Sequence, residues 1–314
     1  LEADFSTDSG AFVLAAGVDA LSLPGGRVVI SVERFLNLRT GSGNDVIATS
    51  LDPELVDVVD TGGGADTVTV FGGQTSGATG HDRVELGAGT DLLIIDYTAA
   101  TDQLLMTTPV ASGGGQSGQV RLGGGVRVTY GGVDRLNVSA GSGADDLRGG
   151  SGADILNGGA GTDTLNGGLG ADTLTGGAGA DLFLITAGGS PAAAPDVLRD
   201  FASGEDRLDL TALGLTATSV VIVHQSANGS VVLVDADGNG GYETVVLAAT
   251  SVTTSDLAGL AGGIIVVGDA GDQTIDGTAL SDALAGGGGA DLVLGGDGAD
   301  SLYGEGGNDR LEGG

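Results

Sequence analysis

The chain has 314 residues, a formal charge of −31, 64 glycines and no cysteine. No disulfide framework can form, and charge repulsion excludes nucleic acid as a partner and disfavours anionic membrane surfaces. Glycine without a three-residue period and only five prolines exclude collagen, while a 40% hydrophobic content excludes a disordered acidic tail. All eleven basic residues are Arg, and no window is apolar over the ~18 residues a membrane span needs. The opening stretch LEADFSTDSG lacks the basic and apolar parts of a signal peptide.

In chain order, residues 1–30 are expected to be a β segment ending a preceding unit. Aligning Leu1 with Leu93 places the first residue at the eighth position of a nonapeptide, and Asp4-Phe5-Ser6 parallels Asp96-Tyr97-Thr98. Residues 31–94 form a degenerate array. Asp57 and Asp66 are nine apart, as are Asp82 and Asp91, each followed two residues later by Val59, Val68, Val84 or Leu93; Asp45 precedes Asp57 with a three-residue insertion. Residues 95–130 are expected to insert as a β-hairpin. Residues 131–184 form a clean array with Asp145, Asp154, Asp163, Asp172 and Asp181 at position six and Leu147, Leu156, Leu165, Leu174 and Phe183 at position eight. Residues 185–267 read as a β-rich cap. Residues 268–314 form a further array, with Gln273 in the first acidic slot, then Asp282, Asp291, Asp300 and Asp309, and Leu284, Val293, Leu302 and Leu311 at position eight. The array stops at Gly313-Gly314, the opening of another repeat, so the chain reads as a segment cut from a longer one. The fold class is all-β: parallel β-roll (β-solenoid) arrays interleaved with antiparallel β cap segments.

The unit G-G-x-G-x-D-x-U-x, with U apolar, reads as a calcium-binding β-helix repeat. Glycines at positions one to four permit a sharp turn with φ > 0. Positions seven to nine form a short strand whose middle residue points inward. Two nonapeptides close one coil, so turns stack every eighteen residues. Carboxylates and turn carbonyls then gather into an all-oxygen cage, which suits Ca²⁺ rather than a transition metal. The expected ligands are Asp45, Asp57, Asp66, Asp82, Asp91, Asp145, Asp154, Asp163, Asp172, Asp181, Asp282, Asp291, Asp300 and Asp309. Carbonyls of Gly141, Gly143, Gly149, Gly150, Gly152, Gly158, Gly159, Gly161, Gly167, Gly168, Gly170, Gly176, Gly177 and Gly179 join them in the second array, and those of Gly286, Gly287, Gly289, Gly295, Gly296 and Gly298 in the third. The bridging pairs expected from an eighteen-residue coil are 145/163, 154/172, 163/181, 282/300 and 291/309, with 45/66 and 66/91 in the degenerate array.

These nonapeptides resemble the RTX, or hemolysin-type calcium-binding repeat, proteins of Gram-negative bacteria. The segment Asp196-Val-Leu-Arg-Asp200-Phe201-Ala-Ser-Gly204-Glu-Asp206-Arg-Leu-Asp209-Leu210 is similar to the one closing the β-roll of serralysin-type proteases and of mannuronan epimerase R-modules, and the VVIVHQSANGSVVLVDADGNGGYETVVLA that follows looks like the rest of that cap. The resemblance implies type I secretion, unfolded in low cytosolic calcium, and folding outside the cell. A further array after the cap departs from the pattern.

Other candidates read as structural. Asp235-Ala-Asp237-Gly-Asn239-Gly240 imitates the first half of an EF-hand loop, but position twelve is Val246, and an Asp/Gly hairpin turn is the preferred reading. Asp196, Asp200, Glu205, Asp206 and Asp209 suit a cap calcium or helix capping equally. His81 and His224 have no second His at ligand spacing. H-E-x-x-H, G-x-S-x-G and GK[ST] are absent, and no catalytic residue is assigned. The leading expectation is a secreted, non-catalytic structural, adhesive or surface-layer segment at or beyond the cell surface. Its expected partners are calcium, neighbouring repeat units or further copies of itself, and extracellular polysaccharide. The alternative is an accessory module of a secreted polysaccharide-modifying enzyme or protease whose catalytic domain lies elsewhere. A lyase or epimerase active site on the solenoid itself is disfavoured by the absence of Lys and the scarcity of Tyr and His.

Overall fold

A computed structural model describes residues 2–4, 13–14, 37–49, 56–72, 80–112, 115–226 and 229–314. Most of the segment 1–30, the stretch 31–36 and the interruption within 73–79 therefore lie outside the described residues. The chain divides into two compact units, 1–164 and 165–314. The division falls inside the array 131–184.

In the first unit, two sheets face each other. One stacks Val46–Ala48, Thr67–Phe71, Leu92–Asp96, Arg135–Ser139 and Ile155–Ala160, all parallel. Its register aligns Ile47, Val68, Leu93 and Leu136 in one inward row, and Val70, Ile95, Val138 and Leu156 in the next. These side chains are buried. Alternation across a strand requires this, since the flanking positions are polar or partly exposed. The other sheet stacks Asn37–Arg39, Val58–Asp60, Asp82–Glu85 and Gly125–Val133 in parallel. There the ladder turns antiparallel through Gly115–Leu122 and Leu104–Met106, and resumes parallel at Asp146–Ser151. The insertion is thus spliced into the sheet, and its buried Leu104, Met106, Val120 and Tyr130 continue the core.

In the second unit, Thr173–Ala178, Asp196–Leu198 and Thr244–Ala248 run parallel. The antiparallel pairs of Thr244–Ala248 with Gly229–Asp235, and of the latter with Val220–Ser226, form the cap hairpins. Parallel pairing then resumes through Ile264–Val267, Ala283–Ala285 and Ser301–Tyr303. Thr274–Asp276, Leu292–Leu294 and Arg310–Glu312 make the facing ladder at the eighteen-residue spacing. Leu174, Phe183, Leu284 and Val293 at position eight are fully buried, whereas Leu311 is 45% exposed. The Phe183 and Phe201 rings lie 5.8 Å apart in a tilted contact that anchors the cap. The only helices among the described residues are two short 3₁₀ turns, Thr211–Leu213 and Thr254–Asp256. No helix of the described residues is long and apolar enough to cross a membrane.

Candidate metal centre: the stacked turns

Turn glycines at positions two and four have positive φ, as at Gly159 (98°), Gly161 (139°), Gly287 (93°) and Gly289 (120°). The demand is also steric. A Cβ on Gly161 would lie 1.9 Å from the Gly143 carbonyl oxygen, and one on Gly159 2.2 Å from that of Gly141. Consecutive turns are therefore stacked backbone to backbone. The position-three amide of each donates to the position-two carbonyl of the turn before: Gly63 to Gly41, Ala88 to Gly62, Ala160 to Gly141, Gly288 to Asp269 and Gly306 to Gly287, all at 2.7–2.9 Å.

The position-six carboxylates form a ladder. Oδ1 of each accepts the backbone N–H of the corresponding residue in the turn before: Asp45 donates to Asp66 (2.8 Å), Asp57 to Asp82 (2.9 Å), Asp66 to Asp91 (2.8 Å), Asp145 to Asp163 (2.7 Å), Asp282 to Asp300 (3.0 Å) and Asp291 to Asp309 (3.1 Å). The carboxylates meet main chain here, where side chain facing side chain was expected. Asp45, Asp57, Asp66, Asp91, Asp145, Asp154, Asp163, Asp172, Asp181, Asp282 and Asp291 are buried; Asp82, Asp300 and Asp309 are half-buried. Gln273, in the acidic slot of its repeat, donates to Asp291 in the same way. Where the previous turn is not a nonapeptide, another amide serves: Leu104 donates to Asp145, Leu136 to Asp154 and Ile264 to Asp282.

The second oxygen carries the functional signal. Oδ2 of Asp91, Asp291 and Asp300 is buried and receives no hydrogen bond. A buried carboxylate oxygen without a donor is costly unless a cation or a proton meets it. In the clean repeats this oxygen lies over the position-one glycine. A Cβ would stand 2.1 Å from Asp172 Oδ2 at Gly167, 2.3 Å from Asp181 Oδ2 at Gly176, and 2.5 Å from Asp291 Oδ2 at Gly286. The position-one glycine thus keeps a cradle open beside a bare carboxylate oxygen and turn carbonyls. All these donors are hard oxygens, and they fit Ca²⁺.

The family model of the RTX calcium-binding nonapeptide repeat matches this chain in four copies, over residues 139–174, 159–184, 267–300 and 285–314. The chain carries RTX calcium-binding repeats. The matched residues are the two clean arrays; the degenerate array lies outside them. Among solved structures, the chain is similar to the solution structure of the AlgE6R3 subunit from the Azotobacter vinelandii mannuronan C5-epimerase, at 27% identity, covering 40% of this chain and 78% of that one, with a TM-score of 0.32. No curated protein matches the chain.

Several carboxylates outside the nine-residue frame extend the carboxylate ladder. Asp134 accepts the Asp91 amide (2.7 Å), Asp196 that of Asp172 (2.9 Å) and Asp206 that of Asp181 (2.9 Å). Asp200 grips the Gly176 and Gly177 amides with its two oxygens, and Asp256 accepts from Gly204, Ser203 and Thr253. The cap therefore ends the roll by supplying carboxylates to open turn amides. Asp209 binds the Thr211 amide, and Glu205 is exposed. Asp235, Asp237 and Glu243 bring carboxylate oxygens within 4.8 Å of one another. However, Asp235 already accepts the amides of Gly238, Asn239 and Gly240, and Glu243 that of Ala236, as a hairpin loop between antiparallel strands would arrange them. His81 shares a hydrogen bond with Thr129, and His224 is exposed on its strand.

Burial pushes the ladder acids up, to about 7 at Asp82 and Asp196 and about 6 at Asp91 and Asp145; Asp66 and Asp163 shift the same way. These groups bind protons more tightly in the folded chain than in the unfolded one. Ion-free stability is therefore greatest below the ordinary carboxylate range and falls as pH rises through 6 and 7. The calcium-free chain is expected to melt at a higher temperature at pH 5 than at pH 8, and calcium affinity to fall over the same descent in pH as protons compete. Thermal melts in chelator at the two pH values check this; a higher melting temperature at pH 8 refutes it.

Proposed function

We propose that the chain is a calcium-triggered folding module of an exported bacterial protein, acting as a structural, adhesive or surface-layer segment outside the cell. The carrying observation is the row of buried Oδ2 atoms without donors, beside position-one glycines that keep the cradle open. Asp145, Asp163, Asp291, Asp300 and Asp309, with the turn carbonyls around them, would hold the ions; both oxygens of Asp282 are already taken, by the Ile264 amide and by Thr278. The ion supplies positive charge that the chain lacks, and the chain supplies oxygens already fixed by their Oδ1 bonds. With one buried apolar side chain per nonapeptide, little else opposes the entropy of ordering a glycine-rich chain. Export in the unfolded state and folding where calcium is abundant follow from that dependence.

The second reading, an accessory module of a secreted polysaccharide-modifying enzyme or protease, draws support from the cap, where Asp200 and Asp206 close the roll. Retention of the folded chain on a polyuronate column would favour it over a purely structural role.

Calcium counting tests the metal assignment. Asp291→Asn keeps an Oδ1 acceptor for the Gln273 amide and removes the charge at a bare Oδ2. It is expected to lower the number of bound ions by at least one, whereas the same change at exposed Asp297 leaves the count unchanged. Equal counts for both variants and the parent would refute the assignment.

A further inference from the structure

In the array 268–314 the position-one carbonyls of Gly286, Gly295 and Gly304 receive no hydrogen bond from a side chain or from a turn amide. The preceding turn comes so near that a Cβ on Gly268 would lie 2.0 Å from the Gly286 oxygen, and one on Gly277 2.1 Å from that of Gly295. A side chain is shut out there, and the oxygen is left for an ion.

In five other turns the same carbonyl is already taken. Thr40 Oγ1 donates to the Thr61 carbonyl (3.0 Å), and Thr61 Oγ1 to that of Leu86 (2.8 Å). Gln116 Nε2 donates to the Gly149 carbonyl (2.8 Å). Its Oε1 accepts the Ser151 amide (2.8 Å), the bond that position three otherwise gives to the preceding turn. In the second unit, Thr250 donates to the Phe201 carbonyl, and Thr254 to that of Gly277 (3.2 Å). Every acceptor lies five residues before a ladder carboxylate, namely Asp66, Asp91, Asp154, Asp206 or Asp282. Thr40, Thr61 and Gln116 are themselves almost fully buried.

A carbonyl oxygen removed from water needs positive charge density, and either a cation or a hydroxyl or amide hydrogen can provide it. We propose that Thr40, Thr61, Gln116, Thr250 and Thr254 are built-in substitutes for calcium, so that their turns close without an ion at that oxygen. The turns led by Gly286, Gly295 and Gly304 close only when an ion arrives. The turns closed by Thr40 and Thr61 in the degenerate array are then stacked without an ion at that carbonyl, before the clean array 268–314 orders. This inference rests on the calcium reading of the clean repeats.

Hydrogen exchange of the full chain, followed by mass spectrometry in excess chelator, tests it. The amides of Thr67 and Leu92, bonded to the Asp45 and Asp66 carbonyls, are expected to stay protected. Those of Leu292, Ser301 and Arg310, bonded to the Gln273, Asp282 and Asp291 carbonyls, are expected to exchange at least about tenfold faster and to slow when calcium is restored. Fast exchange at both sets overturns this inference and leaves the calcium reading intact. Protection of both sets in chelator sinks the two together. Thr61→Gly is expected to make protection at Leu92 depend on calcium, while Thr61→Ser, which keeps the donor, leaves it as in the parent chain. Protection at Leu92 in chelator unchanged by Thr61→Gly overturns the inference.

Discussion

In excess chelator the far-ultraviolet β signal of this chain is expected to fall by more than half, and to return on titration with calcium at a midpoint of about 10⁻⁴–10⁻³ M, the range of extracellular modules. The clean array 268–314 brings carboxylates into stacked turns and leaves a buried oxygen of Asp291 and of Asp300 without a donor, so its folded form without metal carries uncompensated charge. The loss should concentrate in the clean repeats, because the turns fed by Thr40 and Thr61 have their own donors. Magnesium at the same concentration should restore far less, since it demands a tighter octahedral cage and gives up its water reluctantly. A spectrum unchanged by chelator would remove the basis for calcium-triggered folding.

The second large effect concerns Gly161. Its φ of 139° is unfavourable for any side chain, and the Gly143 carbonyl stands 1.9 Å from where a Cβ would be. The obstructing atom is backbone, fixed by the Ala160 to Gly141 bond beside it, and cannot swing away. Gly161→Ala should therefore cost about 3 kcal/mol or more, seen as a lower melting temperature at saturating calcium. Gly313→Ala, which meets nothing within 4 Å, should stay within about 0.5 kcal/mol. If the two variants melt together, turns are not stacked at this distance. Glu305 supplies the converse case. It holds φ 66° at position two of its repeat, where Gly287 and Gly296 stand at 93° and 84°. Glu305→Gly should relieve about 1 kcal/mol of strain.

The nine-residue frame shows in the sequence because glycine, aspartate and one apolar residue recur at fixed offsets, each for a separate physical reason. Leu147, Leu156, Leu165, Leu174 and Phe183 are all fully buried at position eight, as alternation demands. The antiparallel hairpins at 115–133 and 220–248 follow from β-branched runs broken by glycine. What the frame concealed lies off its spacing. Asp134 answers Asp91 across 43 residues, and Asp196 and Asp206 answer Asp172 and Asp181 across 24 and 25. No local period marks these partners, because insertions loop out between them. Thr61 and Gln116 were equally hidden: a threonine in place of a repeat glycine reads as decay until its hydroxyl is seen on the Leu86 carbonyl. The carboxylates also face main-chain amides, because Oδ1 is the nearer acceptor once the turns stack.

The direction of that ladder makes the two ends of an array chemically different. Each position-six amide is capped by a carboxylate that comes later in the chain, so along that ladder the leading end presents an acceptor and the trailing end a donor. Leu104, Leu136, Ile264 and Gln273 offer amides to leading ends, while Asp196 and Asp206 offer carboxylates to a trailing one. An array is therefore a plug with a matching socket, and it cannot be reversed. A block of these nonapeptides moved into another protein would need an amide-bearing strand ahead of it and an acidic strand behind it; with the flanks exchanged, position six would set like against like at both seams.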